Sequence, residues 1–138
     1  MTTQQKLIGW AGIALILATG LIHLINAQDS FDEAQYKGLL FLANAAASLV
    51  AAVGIYRGSR TWGWGLGLVV AVGSLIAYAL SRTVGLPGLE AEPDAWFEPM
   101  GAASLVVELL FTAIAFYALG KAPARSSNGS REINAGNA

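Results

Sequence analysis

Residues 7–27, LIGWAGIALILATGLIHLINA, decide the fold, because this apolar run contains one histidine and no formally charged side chain. An α-helix needs about 20 such residues to cross the roughly 30 Å hydrocarbon core of a bilayer. Three further apolar runs, each with a single charged residue, occupy residues 36–56, 61–82 and 99–120. None shows the alternation of a membrane β-strand. The sequence therefore predicts an all-α fold, an integral membrane four-helix bundle within residues 1–120.

The first run could instead be a secretory signal cleaved after Ala27. It is longer than the usual apolar core of a signal peptide, and its late polar residues match those of the other three runs. We therefore interpret it as the first membrane helix.

Composition supports a membrane location, since 55% of the 138 residues are hydrophobic and 12% are charged, with a mean hydropathy of +0.55. Soluble domains have about a quarter of their residues charged. The net charge of −1 indicates no nucleic-acid partner. The absence of cysteine excludes disulfides, iron–sulfur clusters and thiol chemistry.

The basic residues predict the orientation of the chain in the membrane. With the N-terminus inside, all but two of the eight basic residues lie on the inner side, and the two exceptions are Lys37 and Arg82. The outer loops hold most of the acidic residues. We therefore expect a multi-pass protein of the bacterial inner (plasma) membrane with both termini cytoplasmic. Residues 121–138 are polar and rich in small residues, and we expect a disordered cytoplasmic tail.

Small and aromatic residues predict how the helices pack and where they end. Small residues recur four apart at Gly63 and Gly67, and at Ala43, Ala47 and Ala51. Because helices in lipid associate by close backbone approach, these series indicate contact faces. Tryptophans near the span ends are expected to be interfacial anchors. They are Trp10, Trp62, Trp64 and Trp96.

Polar residues of all four spans fall in the predicted outer half of the membrane. At about 1.5 Å per residue, their depths below the outer helix ends coincide. This predicts one outward-opening polar pocket. Its candidate ligand-binding residues are His23, Asn44, Tyr78, Arg82, Ser104 and Glu108.

Glu108 is the strongest candidate, because a carboxylate in the middle of a membrane helix costs about 2.5–3.5 kcal/mol on insertion scales. It should face the other helices, with His23, Asn44, Tyr78 or Arg82 as partner. Three roles stay open: a polar contact that fixes the helix register, a ligand or cofactor site, and proton or ion passage.

His23 is the one histidine of the chain, and a histidine with a single glutamate is a weak set of metal ligands. We expect no metal site and no catalytic residues, since no nucleophile and base are recognisable together; any cofactor stays unknown. Arg82 is expected to pair with Glu98, Glu108, a lipid phosphate or an anionic ligand. The loop that follows is long enough to place Trp96 and Phe97 over the pocket as a short lid.

Several short motifs resemble a group of small four-span bacterial integral membrane proteins without an assigned activity. They are GLIHL at residues 20–24, SRTVGLPG at residues 81–88, and Glu98-Pro99-x-Gly101 at the start of the fourth span. The resemblance covers residues 7–120 and implies the fold and topology, but no function. Some members of the group have a second histidine where this chain has Ser30, which counts against a two-histidine metal or haem site.

The sequence favours a small non-enzymatic membrane protein, an accessory or structural subunit or a homo-oligomer. Its expected partners are the lipid bilayer and either other membrane subunits or further copies of itself. One alternative is a membrane module that binds haem, a metal, a quinone or a lipid. A second alternative is a small proton-coupled transporter.

Overall fold

The computed structural model describes residues 1–121 of the protein, and five α-helices make up most of them. The helices are α1 (Thr3–Ile25), α2 (Ala27–Glu33), α3 (Gln35–Tyr56), α4 (Trp62–Thr83) and α5 (Pro99–Gly120), and a 3₁₀ turn spans Pro93–Ala95. Helices α1, α3, α4 and α5 are long and apolar enough to cross a membrane. Apart from Lys121, the predicted disordered tail lies outside the described residues.

The first helix begins earlier than the hydrophobic run that predicted it, because a capping box closes its N-terminus. The Thr2 hydroxyl accepts a hydrogen bond from the Gln5 backbone N–H at 3.2 Å. The Gln5 side chain in turn accepts one from the Thr2 N–H at 2.8 Å. Each bond satisfies a backbone donor that the helix leaves free, so the helix extends over polar residues with no hydropathy signal.

Helix α2 is a structural element that the sequence did not predict, since its acidic stretch was interpreted as loop. It has seven residues and ends where Ala34 becomes extended. The Phe31 ring lies directly on Gly38 of α3, in space that a side chain at residue 38 would fill. This contact anchors α2 across the start of α3.

Helices α1 and α4 both pack mainly against α3 and α5, and they touch each other over a smaller area. We call the end that carries residues 26–34 and 84–98 the long-loop end, and the end that carries the turn at residues 57–61 the hairpin end. The buried apolar residues begin near mid-height and continue toward the hairpin end. They include Ile16, Ala51, Ala52, Ile55, Trp64, Ala71, Phe111 and Ala115.

The buried polar residues lie from mid-height toward the long-loop end instead. Within the four long helices they are Thr19, His23, Ser48, Ser104 and Glu108. The interior is therefore apolar in one half and polar in the other, which is the division that the sequence pattern indicates.

Helices α3 and α4 form an antiparallel hairpin that two glycines bring into backbone contact. A Cβ atom on Gly63 would lie 2.6 Å from the Gly54 carbonyl carbon and 2.6 Å from the Ile55 nitrogen. Farther along α4, Gly67 receives the Phe111 ring. Gly63 and Gly67 therefore both lie at helix contacts, as predicted. In the alanine series, Ala51 is buried but Ala43 is exposed.

Trp64 is a core residue and not the interfacial anchor that its position near a span end suggested. Its side chain is 8% exposed, and its ring stacks on Phe111 with centroids 5.8 Å apart. It also lies against Gly12 of α1, whose missing side chain provides the space. Trp10, in contrast, is 60% exposed, and Trp62 is exposed as well.

Candidate functional site

The six candidate residues lie in three separate groups. His23, Ser104 and Glu108 lie between α1 and α5. Asn44 lies between α3 and α4, where it contacts Ser74. Tyr78 and Arg82 lie near the end of α4 and contact the α4–α5 loop.

Glu108 is the most deeply buried ionisable side chain among residues 1–121, with 1% of the residue exposed. Ser104, one helical turn earlier on α5, donates its hydroxyl hydrogen to Glu108 Oε1 at 2.6 Å. This bond satisfies a carboxyl oxygen from within the same helix.

His23 approaches the same carboxyl oxygen from α1. Its Nδ1 lies 2.9 Å from the Thr19 carbonyl oxygen. Since a carbonyl only accepts, Nδ1 donates, and in the neutral ring Nε2 is an acceptor. Nε2 lies 3.9 Å from Glu108 Oε1, which is too long for a direct hydrogen bond.

The surroundings of this pair limit its chemistry. The Phe41 ring lies beside His23, with centroids 4.8 Å apart. Within residues 1–121 there is no group of three or more histidine, cysteine or acidic side chains that could hold a metal ion.

Asn44 joins α3 to α4 through a short chain of hydrogen bonds. Its side-chain amide donates to Ser74 Oγ at 2.6 Å, and Ser74 Oγ donates to the Val70 carbonyl at 2.9 Å. Ser48 donates to the amide oxygen of Asn44 at 3.3 Å. Interhelical hydrogen bonds of this kind hold membrane helices in register.

Tyr78 connects α4 to the loop that precedes α5. Its hydroxyl donates to the Trp96 carbonyl at 2.9 Å, and its ring packs edge-on against the Trp96 ring. Phe97, the other residue expected in a lid, is 91% exposed. Only Trp96 of this pair therefore packs against a candidate residue.

Arg82 pairs with Glu92, an acidic residue that was not among its expected partners. Its Nη1 lies 2.6 Å from a Glu92 carboxyl oxygen, and the guanidinium group lies 4.6 Å from the centre of the Tyr78 ring. Glu98, an expected partner, instead caps α5 by accepting from the backbone N–H groups of Met100 and Gly101. It does so because it directly precedes Pro99, at the N-cap position of that helix.

The SRTVGLPG segment forms a tight turn at the end of α4. The backbones of Leu86 and Leu89 exchange two hydrogen bonds across Pro87 and Gly88, and Gly88 has a φ of 74°. Tyr36, near the start of α3, donates its hydroxyl hydrogen to the Pro87 carbonyl at 2.7 Å. The turn is thereby tied to α3.

A surface groove of about 360 Å³ lies at the long-loop end, between the start of α3 and this turn. None of the six candidate residues lines it. The sequence did not predict this groove; the signal for it was the concentration of acidic residues in the two loops. The lining residues are Glu33, Lys37, Ser81, Leu86, Leu89, Glu90, Ala91 and Glu92.

Comparison with known proteins gives no relative from which a function could be transferred: no family model, curated protein or solved structure matches the chain. The fold itself defines a class, since the described residues are helical with four apolar helices of spanning length. These helices indicate a multi-pass membrane protein.

Proposed function

We propose that the protein is a non-enzymatic four-helix bundle of a bacterial inner membrane, working as an accessory or structural subunit or as a homo-oligomer. The observation that carries this proposal is that most of the candidate polar residues are hydrogen-bonded to other groups of the chain. They bond to neighbouring helices, to their own helix or to the α4–α5 loop. Side chains engaged in this way stabilise packing and leave little free hydrogen-bonding capacity for a ligand.

The three polar groups support different parts of one scaffold. Asn44 and Ser74 join α3 to α4, and Tyr78 with Arg82 holds the loop before α5. His23 and Glu108 face each other between α1 and α5. Polar contacts at these positions would fix the rotation and register of helices whose outer faces are apolar.

The mass and protein composition of the particle that contains the chain test this function. After mild-detergent extraction from native membranes, we expect a particle larger than a single chain. It should contain either additional membrane subunits or several copies of this protein. A monodisperse single chain in several mild detergents would contradict the proposal.

The orientation with both termini in the cytoplasm can be tested with single cysteines, because the natural chain has none. Gln28→Cys and Thr61→Cys are matched, uncharged, exposed positions at the long-loop and hairpin ends. A membrane-impermeant maleimide should label Gln28→Cys in intact cells and Thr61→Cys only after permeabilisation. The reverse pattern would show the opposite orientation.

A second candidate function is a binding module for haem, a metal, a quinone or a lipid. The observation that favours it is the 3.9 Å separation of His23 Nε2 and Glu108 Oε1, two polar atoms from different helices in a buried setting. Both atoms are hydrogen-bond acceptors in this arrangement, so a ligand with two donors could bridge them. Proton-coupled transport would use the same pair.

A further inference from the structure

We propose that the groove at the long-loop end binds the headgroup of an aminophospholipid, with a primary ammonium group and a phosphate. This inference is independent of the proposed function, because it rests on the groove and not on the buried polar residues. The groove lies where α3 begins and α4 ends, which is the level of the lipid headgroups when these helices span a bilayer.

The groove carries charges of both signs, three carboxylates and one lysine. Two of its three carboxylates are engaged: Glu33 pairs with Lys37, and Glu92 pairs with Arg82. Glu90 forms no ion pair within the part of the chain that the structure describes. Its carboxylate is available to accept hydrogen bonds from a primary ammonium group.

Lys37 supplies the opposite charge on the other side of the groove. Its ammonium group pairs with Glu33, but a lysine carries three donors, so further bonds to a phosphate remain possible. Leu86 and Leu89 give the same groove an apolar part against which the glycerol and first methylenes of a lipid can pack. A free amine or a free phosphate would use only part of this lining.

The groove is held in shape by contacts on several sides. Tyr36 bonds the Pro87 carbonyl at 2.7 Å. The Glu92 backbone N–H donates to the Ser81 carbonyl at 2.9 Å, which returns the loop to the end of α4. A site fixed in this way needs little ordering when a ligand binds, which favours affinity.

The test is lipid retention by the full-length chain in detergent, measured by native mass spectrometry. Phosphatidylethanolamine, phosphatidylcholine and phosphatidylglycerol with identical acyl chains are added separately. We expect phosphatidylethanolamine to bind about tenfold more tightly than phosphatidylcholine, which lacks N–H donors, as one charge-assisted hydrogen bond would give. Equal retention of the three lipids would overturn the proposal.

Variants of Glu90 connect the selectivity to the groove. Glu90→Gln should remove most of the preference for phosphatidylethanolamine, and Glu90→Asp should keep it. The control is Asp94→Asn, which removes an exposed acid of the same loop that does not line the groove. Unchanged selectivity in Glu90→Gln, or an equal loss in Asp94→Asn, would contradict the assignment.

A competition experiment distinguishes a lipid from a soluble ligand that carries the same ammonium and phosphate groups. Free phosphoethanolamine should not compete with phosphatidylethanolamine at comparable concentration, because it makes no contact with the two leucines. Effective competition by the free compound would overturn the assignment to a lipid.

Discussion

Gly63→Leu should lower the free energy of unfolding by about 3 kcal/mol or more, at the upper end of what overpacking costs. The reason is that Gly63 lies on backbone atoms of α3 and not on a flexible side chain. A Cβ atom would be 2.6 Å from both the Gly54 carbonyl carbon and the Ile55 nitrogen. The helices of the hairpin would have to separate, and their contacts would be lost along the apolar half.

The measurement is unfolding by a denaturing detergent in mixed micelles, followed by the fluorescence of the tryptophans. Gly9→Leu is the matched control, because it makes the same substitution in a membrane helix where the new Cβ has no atom within 4 Å beyond the local backbone of its own helix. We expect this control to change the stability by less than about 0.5 kcal/mol. Similar losses in both variants would show that leucine is unfavourable for reasons other than the α3–α4 contact.

The second large effect is expected at Glu108, where Glu108→Ala should lower the free energy of unfolding by about 2 kcal/mol. The side chain is 1% exposed, so its truncation leaves a cavity between α1 and α5. It also removes the acceptor of the Ser104 hydroxyl. The same detergent titration measures the change.

Glu108→Gln distinguishes the contribution of side-chain shape and hydrogen bonding to stability from the contribution of the acidic group. The amide oxygen can still accept from Ser104, and the volume is nearly unchanged, so we expect a loss below about 1 kcal/mol. Under the proposed structural role, this variant keeps the size of the purified particle. If Glu108→Gln were as harmful as Glu108→Ala, the ionisable group itself would be required. A Glu108→Gln variant that keeps its stability and particle size but loses ligand binding would instead favour the binding function.

The four apolar spans and the polar half of the interior could be predicted because both follow from local patterns. A helix long enough to cross a bilayer is visible in hydropathy alone. The positions of His23, Ser104 and Glu108 followed from helical spacing and depth. The contact glycines Gly63 and Gly67 were also predictable, since close helix approach in lipid requires small residues.

The choice of partners could not be predicted in this way. Arg82 has several acids within reach along the chain, and its pairing with Glu92 depends on how the α4–α5 loop folds back. The grouping of the candidate residues depends on the rotation of each helix about its axis. A shared depth does not determine that rotation. Residues that were predicted to line one pocket therefore contact different partners.

The sequence by itself determined that the chain forms four membrane-length helices with a polar half and an apolar half, because length, hydropathy and spacing are properties of each segment. Only the tertiary structure decided that Trp64 is buried, since the space for its ring comes from Gly12 on another helix. It also decided that α2 forms, because the contact of Phe31 with Gly38 anchors it. Both outcomes depend on contacts between different helices, whose distances are set only when the helices pack.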